Sequence, residues 1–154
     1  MNSSRRKMLK SSALAAGGLC SWRVLDLFAK PSDCCNTPDL EPDSYTVEKD
    51  RIVVDLNAAP SLAHPGHAAF ISVPEREIEL IIVRPDRDSY VALSRFCTHG
   101  GQVLSYVRQR RLLQCNNYNH SLFELDGTVY KGPAPKPLAR FRAAAAAGEL
   151  TIYM

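Results

Sequence analysis

The chain has 154 residues, 45% apolar and 23% charged, which suits one water-soluble domain with a tail. The net charge is +3, but Arg5, Arg6, Lys7 and Lys10 all lie at the N-terminus, and the remainder is close to neutral. That balance excludes nucleic acid as the expected partner, because a nucleic-acid-binding domain needs a basic face.

The opening Ser4-Arg5-Arg6-Lys7-Met8-Leu9-Lys10 is followed by SSALAAGGLC. The apolar part, Ser11 to Leu19, is far shorter than the roughly 20 residues of a spanning helix. Extending it meets Arg23 and Asp26. Paired arginines before a short small-residue stretch resemble a bacterial twin-arginine signal. The resemblance implies export of an already folded protein, cofactor included. The expected location is the periplasm or the outer face of the cytoplasmic membrane, with any membrane association made through the N-terminus. Residues 1–30 are read as this signal and residues 31–44 as a linker, rich in Pro and Asp. Cys34 and Cys35 are adjacent, so a bridge between them would be strained. Together with Cys20 they are assigned no role.

Residues 45–154 read as one all-β domain. Short apolar runs follow one another: 51–56, 68–73, 77–83, 89–96, 103–107, 111–114, 122–125, 128–130 and 149–153. In 77–83 charged and apolar residues alternate, as in a half-buried strand. Turn signals separate the runs at Pro65-Gly66, Pro85 to Asp88, Asp126-Gly127 and Gly148. Asp126-Gly127 predicts a two-residue hairpin. Ala143 to Ala147 has helix propensity but is too short to stand alone, and is read as a surface loop or single turn. The pattern predicts a small β-barrel or sandwich.

Two stretches carry the chemistry. The first is Phe96-Cys97-Thr98-His99-Gly100-Gly101. The second runs Gln114-Cys115-Asn116-Asn117-Tyr118-Asn119-His120-Ser121-Leu122-Phe123. Each places one thiolate and one imidazole in a loop after a strand. Two Cys and two His suit a closed tetrahedral zinc site. They equally suit a two-iron cluster with thiolates on one iron and imidazoles on the other. The mixed Cys/His pairing differs from the like-paired spacing of a zinc finger. It suits a split cluster, since each loop must reach both irons. Cys97, His99, Cys115 and His120 are the candidate metal ligands.

The constellation resembles the Rieske [2Fe–2S] family. Ser121-Leu122-Phe123 matches the family's Ser-x-(Tyr or Phe), Asp126-Gly127 its following turn, and Gly132-Pro133-Ala134-Pro135-Lys136-Pro137-Leu138 its Pro-rich covering loop. The resemblance implies a β domain with two cluster-binding loops at one end. It implies a Rieske-type [2Fe–2S] cofactor, flanked by Ser121, Phe123, Gly132 and Pro133. The implied activity is one-electron transfer with a redox partner, either a cytochrome or an oxidoreductase large subunit. No separate catalytic group is evident, so the expectation is a subunit of a quinol-oxidising or other periplasmic oxidoreductase, not a complete enzyme. A zinc-stabilised domain and a cluster-less binding module are the alternatives. The sequence departs from the family in its second pair, Cys115-x4-His120 instead of Cys-x2-His, which sets Asn119 where the family's histidine stands. It also lacks the extra loop-joining cysteines of some members. By the same resemblance Ser121 would donate a hydrogen bond to a bridging sulfide. Phe123 stands where high-potential members have a Tyr, which implies a middle potential. Gly100 and Gly101 would let the first loop turn tightly. His64 and His67 read as turn residues. Arg108, Gln109, Arg110 and Arg111 read as a solvated hairpin tip, the other reading being a docking patch for an acidic partner.

Overall fold

The computed structural model describes residues 37–116 and 120–154; the proposed signal, Cys20, Cys34, Cys35, Asn117, Tyr118 and Asn119 lie outside the described residues. Among these residues the β-branched and aromatic runs form eleven strands. They are β1 (Tyr45–Val47), β2 (Arg51–Asp55), β3 (His67–Val73), β4 (Ile78–Asp86), β5 (Ser89–Ser94) and β6 (Leu104–Val107). Then come β7 (Leu112–Cys115), β8 (Leu122–Phe123), β9 (Val129–Lys131), β10 (Arg140–Ala146) and β11 (Glu149–Tyr153). They make a seven-stranded sheet, β1-β2-β11-β10-β5-β4-β3, and a four-stranded sheet, β6-β7-β8-β9. The all-β expectation holds.

Side-chain alternation decides how the sheets pack. On β3 to β5, Ala69, Ile71, Leu80, Ile82 and Ala92 face one core with Ile52, Leu150 and Ile152. Their alternating neighbours Phe70, Ile81, Val83 and Leu93 face a second core, shared with Leu104, Leu113 and Phe123 of the small sheet. β4 is therefore buried on both faces, not half-buried as its alternation suggested. The small sheet covers the face that would otherwise meet water. Each such Leu or Ile contributes about 1.5–3 kcal/mol by burial, and Ile81→Ala, which would empty a site with no solvent exposure, costs about 2–5 kcal/mol.

The alanine run departs from expectation. Arg140–Ala146 is a strand, its Arg142 to Ala146 part paired with Glu149–Tyr153 and its start, Arg140 and Phe141, with β5. Backbone pairing with β11 overrides the helix propensity of the alanines. Ala147 and Gly148 take positive φ (52° and 84°), the two-residue hairpin geometry that matches strand twist. The Asp126-Gly127 turn is one residue longer than expected. The Glu124 N–H donates to the Thr128 carbonyl (2.9 Å), leaving Leu125 to Gly127 as the loop. Asp126 Oδ1 holds that loop by accepting from the Thr128 N–H and hydroxyl.

Part of the Pro- and Asp-rich segment lies on the domain. Leu40 is buried, and Pro38 to Leu40 hydrogen-bond to Phe70 on the outer edge of β3. This covers backbone groups that an edge strand would expose.

Candidate metal centre

Both candidate loops leave strands beside the same short segment, Gln102-Val103. On one side Phe96 bridges Val103, and the Cys97 N–H donates to the Gln102 carbonyl (2.8 Å). On the other side the Asn116 N–H donates to the Val103 carbonyl (3.1 Å), and Leu104 is in register with Cys115. The loops are thus held one strand apart, roughly 10 Å across two strand spacings. That proximity is imposed by the β6–β7 ladder, not by the loops themselves.

The first loop turns back at once. The Gly101 N–H donates to the Cys97 carbonyl (2.9 Å), and Gly101 sits at φ +66°, where a side chain is disfavoured. This is the tight turn expected of Gly100-Gly101, with the conformational demand on Gly101. In the second loop the Cys115 N–H donates to the Ser121 carbonyl (2.9 Å) and closes the loop's base. His120 Nδ1 lies 2.7 Å from the Cys115 carbonyl oxygen.

The Pro-rich loop closes the third side. The Thr98 hydroxyl donates to the Lys136 carbonyl (2.7 Å), and the Ala134 N–H donates to Ser121 Oγ (3.1 Å). One segment therefore touches both candidate loops. Gly132 is where it comes nearest: a Cβ there would stand 2.7 Å from Ser121 Cα and 2.8 Å from the His120 carbonyl oxygen.

Burial divides the four candidate ligands by type. Cys97 and Cys115 are buried, at 2% and 1% exposure, and pack with Phe123 in the second core. His99, in the first loop, and His120, at the end of the second beside Ser121, are exposed. Among the described residues no three His, Cys, Asp or Glu side chains are gathered into a ready-made metal site. The fold brings the four donors to one end without bringing them together.

The donor set still suits two irons. It offers two thiols on the core side and two imidazoles on the solvent side, one of each per loop. Ser121 is fully buried beside them. It accepts from Ala134, so its O–H remains a donor at a position without solvent exposure. Thr98, Gln102 and Val103 hold the site but carry no signal in the sequence. Only their position between the two motifs pointed to them.

A family model for the Rieske [2Fe–2S] domain matches residues 53–142. The chain belongs to the Rieske [2Fe–2S] family. Its cofactor is accordingly a Rieske-type [2Fe–2S] cluster, and the domain is a Rieske electron carrier. Solved structures of similar fold include the plasma membrane Rieske protein PetC3 of the cyanobacterium Synechocystis PCC 6803, at 18% identity and a TM-score of 0.50, covering 56% of this chain and 86% of that one. Another is the ferredoxin of carbazole 1,9a-dioxygenase from Nocardioides aromaticivorans IC177, at 21% identity and a TM-score of 0.53, covering 66% and 93%. These likenesses concern the fold. No curated protein matches the chain.

Proposed function

We propose that this Rieske domain works outside the cytoplasm as the one-electron subunit of an oxidoreductase complex, with Cys97, His99, Cys115 and His120 as ligands of its cluster. The observation that carries the ligand assignment is the arrangement around Val103. Two loops, each with one Cys and one His, flank a single strand and are tied to one Pro-rich segment.

When bound, the cluster supplies a site that takes up and releases one electron. The chain does the rest. Buried Cys97 and Cys115 would fix the inner side. Exposed His99 and His120 would form the side that a partner can reach. Ser121 directs a hydroxyl from the buried side, and hydrogen bonds of this kind to cluster sulfurs raise a reduction potential. The paired arginines ahead of the domain support export. The redox partner is a cytochrome or an oxidoreductase large subunit, reached at the exposed histidines.

The test is the electron paramagnetic resonance spectrum of the dithionite-reduced protein, with an iron, sulfide and zinc assay. A rhombic signal averaging below the free-electron value, with iron and sulfide in equal amounts, is the expected result. One zinc and no signal would overturn the ligand assignment. Export is tested separately: the full chain should reach the periplasm of a bacterial host, and Arg5→Lys/Arg6→Lys should retain it in the cytoplasm.

A further inference from the structure

Charge is divided unevenly between the two halves of the domain. The segment from Phe96 to Leu138, which holds the candidate loops and the small sheet, carries five basic residues: Arg108, Arg110, Arg111, Lys131 and Lys136. Only Glu124 and Asp126 oppose them. The rest of the described chain has twelve carboxylates against eight Lys and Arg. Within a nearly neutral domain the small-sheet segment is therefore net basic and the rest of the described chain net acidic.

The basic groups are also placed. Across the small sheet Gln114, Leu122 and Lys131 stand in one row, each the register partner of the next. The residues that alternate with them, Leu113 and Phe123, point to the core, so the row faces outward. Arg110 overhangs it from the β6–β7 turn. Together with His120 and Pro133 these side chains line an open groove of ≈ 520 Å³ with no carboxylate in its wall. Arg111 is neutralised by Asp86, whereas Arg110 and Lys131 have no ion pair among the described residues.

We infer that this groove is the docking face for the redox partner, and that the partner meets it with an acidic surface. The inference rests on the electron-carrier reading above and on His120 as the ligand nearest the groove. Its basis is charge complementarity. Two cations without an ion pair among the described residues share the groove with the exposed imidazole, and Leu122 and Pro133 complete its wall. Such a charge arrangement raises encounter rates by factors of about 10–1,000 and weakens steeply with salt. The partner is a protein because Arg110 and Lys131 stand apart along an open groove that an extended acidic surface can span.

The test compares two one-electron oxidants of opposite charge in stopped flow. Reduced full-length protein, its cluster confirmed by resonance, is mixed with hexacyanoferrate(III) or with tris(phenanthroline)cobalt(III). One electron leaves the protein, and the ferric or cobaltic complex becomes ferrous or cobaltous; no proton is required. The hexacyanoferrate rate should fall about tenfold between about 10 mM and about 500 mM salt. Arg110→Glu/Lys131→Glu should lower it about as much, and should raise the cobalt rate. The pair Lys49→Glu/Arg142→Glu, on the β1–β2 turn and β10 of the large sheet, makes the same net-charge change and should alter either rate less than twofold. Equal effects from the two pairs would overturn the inference, because only net charge would then matter.

A second measurement does not depend on the cluster. Binding of a labelled poly-glutamate peptide, followed by anisotropy, should weaken about tenfold in Arg110→Glu/Lys131→Glu and stay the same in the control pair. The basic N-terminus is common to all preparations and cancels in the comparison. Peptide binding unaffected by the groove substitutions sinks the docking face even if the cluster is present. Absence of the cluster with peptide binding as expected would instead count against the electron-carrier reading and leave the acidic-partner surface standing.

Discussion

His120 Nδ1 and the carbonyl oxygen of Cys115 lie 2.7 Å apart, so the second candidate imidazole folds back on the strand end that bears the second candidate thiol. With Nδ1–H donating to that carbonyl, Nε2 is the nitrogen left with a lone pair. The contact compensates for the long spacing of the pair, because it ties the far end of the loop to its start. It also yields a sharp choice between neighbours, since Asn119 stands where the family's usual ligand would be. His120→Ala should remove the rhombic resonance and most of the bound iron. Asn119→Ala should keep both. Because His120 is exposed and gives up one hydrogen bond, its loss should lower the stability of the metal-free chain by only about 0.5–1.5 kcal/mol. Cluster content unchanged in His120→Ala would falsify its role as a ligand.

The two glycines of the site should respond differently to the same methyl group. Gly101 has φ +66° and open space around the Cβ position. Gly101→Ala therefore meets only the backbone cost, about 1–2 kcal/mol. Gly132 has φ +110° and would drive its Cβ into Ser121 Cα and the His120 carbonyl. Backbone strain there is about 1–3 kcal/mol, and the clash adds to it. Gly132→Ala should push the Pro-rich loop off the second loop and break the Ala134–Ser121 hydrogen bond. Urea midpoints of the two variants should rank Gly101→Ala above Gly132→Ala. Equal midpoints would mean that the Pro-rich loop moves aside freely.

Asp86 and Arg111 form a two-pronged pair, Nη1 to Oδ1 at 3.0 Å and Nη2 to Oδ2 at 2.8 Å. It joins the end of β4 in the large sheet to the β6–β7 turn. The hydrogen bond from Arg111 is the largest influence and holds the Asp86 carboxyl below its ordinary value; burial opposes it, and the charge of Arg111 and a hydrogen bond from Ser89 add to the lowering. A depressed carboxylate stabilises the fold above the unfolded pKa of about 3.9. That stabilisation disappears as pH falls through the lower folded value. The gap in urea midpoint between wild type and Asp86→Asn should thus be constant from about pH 7 to about pH 5, and should close below about pH 4. Both side chains are largely exposed, so salt should shrink the gap at neutral pH. A gap that is the same at low pH would show that the substitution acts through packing.

Local pattern made the β architecture legible, and distant contacts hid the rest. The strands around Ile52, Ile81 and Leu113 follow from alternation and turn residues. The strand at Ala143 to Ala146 does not, because alanine carries no β signal and its pairing partner, β11, decides the outcome. The second covered face of β4 depends on a sheet formed some thirty residues later. At the site, the Cys and His spacing disclosed the donors and the Pro-rich segment. Thr98 holding Lys136 was invisible, since a hydroxyl-to-backbone contact across the fold leaves no trace in either neighbourhood. Arg95 is similar. It lies over the Phe70 ring at 4.1 Å and pairs with Glu79 at 3.2 Å, pinning the chain just before Cys97, yet as a sequence letter it is an ordinary strand-end arginine.

Phe123 tests the electronic surroundings of the site. It has no solvent exposure and packs in the core that includes both candidate thiols. Phe123→Tyr adds one hydroxyl to that apolar volume. If the hydroxyl meets a sulfur of the cluster or of Cys97 or Cys115, it becomes a donor that favours the more negative, reduced state. A net hydrogen bond of about 1 kcal/mol corresponds to about 40 mV for one electron. The variant's midpoint potential should rise by that order, measured by redox titration of the visible or resonance signal. Stability separates the two ways the experiment can turn out. A hydroxyl with a partner leaves the urea midpoint near wild type, whereas an unpaired one costs about 1–3 kcal/mol. A raised potential with stability kept places the Phe123 ring edge beside the sulfurs. An unchanged or lower potential would count against that placement, and a stability loss alongside it would show that the ring points into hydrocarbon.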